Sequence, residues 1–268
     1  MKGTNGIGLP DVQAVYNGCE GVLWELLMGE QIHIGGFKSS IDLADKAGIG
    51  KGMKGIDLCC CSGAGMRFLI RCKNVEKMTG VDATSTVVVK GYQRCEEEGL
   101  AGKIEFVLAD ACESGLPSES ADFIWSEDAW CYVSDKAKLI SEAVRMLKPG
   151  GVAAFTDWVE GPTELSETEA ERLLKFMKFP NIQDIDGYKT LLRANDCNVE
   201  HAEDTGRFPE YVDLYLKMLD MQLTYDALKI IGFDIPLLGA MGEEMAFMQK
   251  LAHEKKIIQG LFVARKPR

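Results

Sequence analysis

The sequence is short of several things, and each shortage excludes a class of protein. It has no apolar run long enough to cross a bilayer as a helix. Basic charge is scarce: 30 Lys and Arg stand against 41 Asp and Glu, for a formal net charge of −11. Binding phosphate backbones or an anionic lipid surface needs the opposite balance, which argues against nucleic-acid and membrane partners. The stretch MKGTNGIGLPDVQ lacks the apolar core of an export signal. Nine cysteines without such a signal lead us to expect free thiols in a reducing, cytoplasmic setting. None of these cysteines forms the spaced pairs that converge on one metal ion, so no metal is expected. Histidines number three. Internal repeats and low-complexity linkers are missing.

What is present suits a globular enzyme or binding domain. The chain has 268 residues, 46% hydrophobic and 26% charged, enough for one large domain with a cap. From residue 54 strand and helix signals alternate. GIDLCC, KMTGVDA, KIEFVLAD, ADFIWSE and VAAFTDWV read as strands. GAGMRFLIRCK, STVVVKGYQRCEEEG and DKAKLISEAVRMLKPGG read as the helices between them. This rhythm predicts an α/β fold, a doubly wound, mostly parallel sheet with helices on both faces. Apolar spacing predicts a helix over 12–30 and another over 39–48, with Ser39 or Ser40 as its N-cap. Helices are also expected over 163–179, 187–195 and 208–254, a strand over CNVEHAEDTG and a closing strand in KIIQGLFVARK. The expected organisation is lid helices over 1–50, a cofactor-binding core over 51–160, a helical substrate and lid region with one core strand over 161–254, and the closing strand over 255–268.

The chemistry concentrates at strand ends, where such sheets bind ligands. The first strand carries Asp57 and runs into a turn with Gly63 and Gly65, the residue type for close backbone approach to a ligand. The second strand ends in Asp82, placed to accept both hydroxyls of a ribose. The third ends in Asp110, suited to an adenine amino group or neighbouring backbone. The turn offers no lysine to grip a pyrophosphate. Carboxylates welcome a cationic sulfonium, and together these features point to S-adenosyl-L-methionine. Cys59, Cys60 and Cys61 sit in that turn. On consecutive strand positions they would face alternate sides, which reads as small apolar filling rather than a metal site.

The order of IDLCCCSGAG, GVDATS, VLADA, FIWSEDAWCYVSDK, AVRMLKPGG and VAAFTDW resembles class I S-adenosylmethionine-dependent methyltransferases. DFIWSEDAWCYVSDKAKL and WELLMGEQIHIGGF resemble more narrowly the sarcosine/dimethylglycine N-methyltransferase branch. The resemblance implies a seven-stranded Rossmann-like sheet with an N-terminal lid helix and a helical insert before the last strand. It covers about residues 16–158 well and the insert poorly. Members usually have glycine where this chain has Cys59 and Cys61. It implies that Tyr16, Asp57, Cys59, Cys61, Gly63, Asp82, Ala83, Asp110, Ala111 and Ser126 surround the cofactor. His33, Gly35 and Tyr16 would belong to the lid, and Glu127 and Asp128 would lie where methyl and acceptor meet.

Sulfonium methyl transfer is an in-line displacement whose donor is already activated. The protein must align the partners and exclude water. A base is needed for a hydroxyl or an aromatic carbon, less so for a neutral amine. The only candidates are His33, Glu127 and Asp128, which favours an easy nucleophile. N-methylation of a small amine is therefore the expected reaction, with Trp130, Tyr132 and Trp158 either aromatic faces for an ammonium or packing residues alone. The alternatives are carbon or oxygen methylation of a larger apolar ring, methyl transfer to thiol, arsenite or halide, and a non-catalytic nucleoside binder. A homo-oligomer is left open.

Overall fold

The protein is described by a computed structural model covering residues 1–4 and 6–268. Its strands are β1 (Lys2–Gly3), β2 (Lys54–Leu58), β3 (Lys77–Asp82), β4 (Ile104–Leu108), β5 (Ala121–Glu127), β6 (Leu147–Glu160), β7 (Asn181–Asp184), β8 (Asn198–Asp204) and β9 (Ile257–Arg265). Seven of them form the main sheet in the spatial order β4-β3-β2-β5-β6-β9-β8. The first five are mutually parallel, and β9 runs antiparallel between β6 and β8. The expected doubly wound, Rossmann-like sheet is thus observed. Two short strands were not anticipated: β7 pairs with Val159 and Glu160 at the tip of β6, and β1 pairs with β7.

The chain leaves β2 outward through β3 and β4, then returns to the other side of β2 at β5. Connections at this switch point diverge and leave a crevice beyond the carboxyl ends of β2 and β5. Close strand packing here depends on glycine. A Cβ on Gly55 would lie 2.2 Å from the ring of Phe123 on β5, so that ring occupies the place of a side chain. One apolar core lies on each face of the sheet, built around Phe155 and Tyr188 on one side and Met66 and Trp125 on the other. A third fills the space between the lid and the insert, around Trp158, Phe208 and Met248.

Three helix expectations need correction. The segment read as one helix over 12–30 is two, Leu9–Asn17 and Cys19–Met28, broken at an extended Gly18. A Cβ there would stand 2.9 Å from the carbonyl of Ala14, so the sharp corner needs glycine. The next helix is Gly36–Lys46, entered from Gly35 at φ +89°, so Ser39 and Ser40 are not caps but fully buried interior residues. The helical stretch 208–254 is divided into Phe208–Met218, a π-helical turn Leu219–Leu223, Thr224–Ile230 and Ile235–His253. There Tyr215, Met245 and Met248 are core, whereas Met221 and Tyr225 are 71% and 67% exposed.

Candidate active site

The cysteine turn does not continue the strand. β2 ends at Leu58, and the N–H groups of Cys59 and Cys60 both donate to the carbonyl of Val81, at 2.8 and 3.1 Å. Cys59 and Cys61 adopt φ +63° and +49°, the left-handed region where glycine is at ease. The alternating-face reading of these thiols is therefore corrected: two cysteines hold glycine-like backbone at a cost of about 1 kcal/mol each. Cys60 points inward, where its Sγ would be 2.6 Å from a Cβ on Gly80, so thiol and glycine are matched in size. Gly63, at φ +77°, leads into the helix Ala64–Cys72.

Beyond the turn lies a cavity of about 410 Å³. Asp57, Asp82 and Asp110, from three neighbouring parallel strands or the residues just after them, all line it, as do Ala83 and Ala111. Seven lining residues are acidic, and the one Lys or Arg among them, Lys138, is paired with Glu113 at 3.1 Å. Asp57 is 4% exposed. Its burial, and then the charges of Glu127 and Asp82, hold its carboxyl well above the usual range, with no hydrogen bond from the described residues opposing them. Asp82 accepts Cys61 N–H at 2.9 Å and Thr84 N–H at 2.8 Å, one per oxygen, while burial raises its pKa. Asp110 is exposed and accepts Cys112 N–H at 2.8 Å. Burial and then Asp82 push the Cys61 thiol up to about 12. Cys59 is likewise raised well above the usual thiol range, by burial and then by Asp82 and Asp57, so these thiols stay neutral and poorly nucleophilic.

The N-terminal segment is fastened beside this cavity at Ile34. Its N–H donates to Asp128 Oδ2 at 2.8 Å, and its carbonyl accepts from Gln259 Nε2 on β9 at 2.9 Å. Gln259 also reaches both oxygens of Asp128, at 3.0 and 2.9 Å. Asp128 lines the cavity, but its carboxylate is engaged in anchoring the lid. His33 Nε2 lies 3.2 Å from Glu127 Oε1, and Trp125 Nε1 donates to Glu127 Oε2 at 3.1 Å. Burial raises the Glu127 carboxyl, against the pull of His33, Ser40 and Trp125. A Cβ on Gly65 would stand 3.1 Å from Glu127 Oε2 and 3.5 Å from Asp57 Oδ2, so both carboxylates face the space over that glycine.

The aromatic expectations divide. Tyr16 and Tyr132 line the cavity with ring centroids 5.8 Å apart, edge to face. Trp130 and Trp158 do not reach it. Trp130 packs on Phe155 at 4.0 Å, and Trp158 on Phe208 at 4.6 Å, both within the core. Ser126 and Gly63 are likewise outside the lining, because Ser126 is buried inside β5 and Gly63 faces Phe106 and Met66. Sequence reasoning missed Gln31, Thr84 and Ser134, polar lining residues close in sequence to His33, Ala83 and Tyr132, which it did single out. Trp125 is fully buried yet also borders the cavity, where its indole N–H donates to Glu127.

Residues 56–155 match the model of a family described as a methyltransferase domain. Over 201 residues, 75% of this chain, the sequence is 26% identical to phosphoethanolamine N-methyltransferase 3 of Arabidopsis thaliana, of which it covers 39%. The chain thus spans about two fifths of that relative's length. Among solved structures, phosphoethanolamine N-methyltransferase 2 of Haemonchus contortus, in complex with phosphomonomethylethanolamine and S-adenosylhomocysteine, superposes with a TM-score of 0.85 at 20% identity, over 96% of this chain and 59% of that one. A candidate sarcosine dimethylglycine methyltransferase of Galdieria sulphuraria gives 0.80 at 21% identity, over 96% and 98%. These structural likenesses show the fold.

Proposed function

We propose that this chain, whose residues 56–155 match the model of a methyltransferase domain, is a methyltransferase that uses S-adenosyl-L-methionine to methylate the nitrogen of a small amine. The observation that carries this reading is the gathering of Asp57, Asp82 and Asp110 around one acidic cavity beside a glycine turn. The cavity fits the cofactor on its own terms. Gly65 leaves open the space that a side chain would fill between Trp125 and Glu127, and Asp57 is a buried carboxylate with no donor among the described residues. A cationic group is what such a carboxylate lacks.

In this reading Asp82 holds ribose hydroxyls, and Asp110 with Ala111 faces the adenine. Asp57 and the turn at Gly65 receive the methionine portion. When bound, the cofactor supplies an activated methyl on a sulfonium. The residues of this chain do the rest. The lid segment at Ile34 excludes water, Tyr16 and Tyr132 shape the acceptor end, and the paired side chains of His33 and Glu127 take the proton that the amine loses. Asp128 keeps the lid in place. A small amine, cationic or neutral, suits a cavity whose lining offers no free Arg or Lys for an anionic acceptor.

Calorimetric titration with S-adenosylmethionine and S-adenosylhomocysteine, followed by turnover on sarcosine, phosphoethanolamine, a thiol and a phenol, tests the proposal. Binding of both nucleosides with turnover on an amine supports it. Failure of either nucleoside to bind overturns it.

A further inference from the structure

Behind the cavity wall, Ser40 makes contacts that a helix cap would not. The serine is fully buried and is not a lining residue. Its Oγ donates to Glu127 Oε1 at 2.6 Å, accepts from Gln31 Nε2 at 3.0 Å and stands 3.2 Å from His33 Nε2. His33 Nε2 is also 3.2 Å from Glu127 Oε1, and His33 Nδ1 lies 3.2 Å from the carbonyl of Ile34. The hydroxyl therefore touches both members of the His33–Glu127 pair, and no ligand in the cavity reaches it.

Counting hydrogens shows what the hydroxyl can do. An imidazole that donates Nδ1–H to Ile34 presents Nε2 to two oxygens. When the pair carries an extra proton, that proton fills the gap, and Ser40 donates to Glu127. When the pair gives the proton up, Nε2 is bare and the carboxylate is no longer neutralised. A hydroxyl has one hydrogen and a free rotor, so it can turn to Nε2 or remain on the carboxylate. Gln31 continues to donate to its lone pair in either case. Leaving a buried nitrogen or carboxylate oxygen unpaired is costly, and Ser40 limits that cost in both states.

We propose that Ser40 is a positioning residue whose hydroxyl holds His33 and Glu127 in register and follows the proton they share. The inference rests on the reading of that pair as the proton acceptor in methyl transfer. The charged groups facing Glu127 are His33 from the lid, Asp57 from β2 and Asp128 just after β5; the helix Gly36–Lys46 contributes only the uncharged serine. The proton-free pair needs the hydroxyl more than the protonated pair does. Removing it should therefore raise the apparent pKa at which the pair titrates.

The test follows the imidazole directly. The three histidines are labelled with 13C and 15N, His33 is assigned with H33Q, and its ring is titrated by NMR in the S-adenosylhomocysteine complex. S40A is expected to move the titration upward by about one pH unit, the effect of losing one charge-assisted hydrogen bond. S40T, which keeps the hydroxyl, should restore most of the wild-type value and guards against poor folding of S40A. An unmoved His33 titration in a folded S40A overturns the inference. If the titration moves but E127Q and H33Q leave amine turnover unchanged, the catalytic reading of the pair is lost and the hold of Ser40 on it stands.

Discussion

Arg94 Nη1 donates to Ser62 Oγ at 2.9 Å, tying the turn beside the cavity to a guanidinium that also pairs with Glu25 of the lid. Lys90 Nζ meets the other oxygen of Glu25 at 2.5 Å, and Arg67 spans from the Ser62 carbonyl, at 2.6 Å, to lid residue Glu30. The lid and the turn are thus held by the same cations. The Glu25 carboxylate is held low by Lys90 and Arg94 against its burial.

E25Q should therefore loosen the lid without touching the cavity. The expected outcome is S-adenosylhomocysteine dissociation about threefold to tenfold faster by stopped flow, since the two partly exposed ion pairs of Glu25 are together worth roughly 1 kcal/mol. Wild-type dissociation should quicken with added salt more steeply than the variant's, which keeps only the Glu30 pairs. An equal salt response in both would dismiss the latch.

D82A should weaken S-adenosylhomocysteine binding by more than about 1 kcal/mol, because a ribose loses charge-assisted hydrogen bonds and Cys61 N–H loses its acceptor. Calorimetry reads this directly. An unchanged dissociation constant would remove Asp82 from the site.

C59G and C61G restore the residue best suited to φ near +60°. Relief of about 1 kcal/mol at each site is offset by roughly 0.5–1 kcal/mol of extra chain entropy in the unfolded state. Net stability by denaturant titration should rise by no more than about 1 kcal/mol, with nucleoside affinity kept. Lost turnover with binding intact would show that the thiols have a chemical task.

Asp157 accepts Cys131 N–H at 2.9 Å and the Tyr188 hydroxyl at 2.5 Å. Burial lifts its pKa to about 6, against the pull of Lys136 and Tyr188. Unfolded, an Asp titrates near ~3.9. The folded state therefore binds the proton more tightly, and the stability this confers is present below about pH 4 and lost as pH rises through about 6. Compared with wild type, D157N should gain stability on going from pH 4 to pH 7, by up to about 3 kcal/mol. Lys136 retains the Val133 carbonyl as acceptor at 2.5 Å in either protein. Parallel stability–pH curves would show that Asp157 does not titrate in this range.

The sheet could be read from the sequence because Ile56, Leu58, Phe123, Trp125, Val152 and Phe155 mark buried strands without any tertiary knowledge. The carboxylates could be read because strand order alone brings the ends of β2, β3 and β4 together. Trp130 and Trp158 could not be placed that way. Which face of a strand or turn a ring occupies depends on the register against Phe155, Phe179 and Phe208, and those partners are distant in sequence. Ser40 was misread because a serine before an apolar run signals a cap equally well whether its hydroxyl meets a backbone N–H or, as here, a carboxylate 87 residues away. The left-handed cysteines were illegible for a related reason. Nothing local favours that backbone, and the Val81 carbonyl and Asp82 carboxylate impose it from the neighbouring strand.

The position of β9 bears on how the chain assembles on the ribosome. β8 finds its partner in β9, not in β6, and β9 follows it only after the 52 residues from Thr205 to Lys256 have been made. At ordinary translation speeds of about 5–20 residues per second, several seconds pass in which β6 presents an unpaired edge and β8 has no neighbour. Completion of the sheet therefore waits on synthesis of Ile257–Arg265, which lies between the two earlier strands.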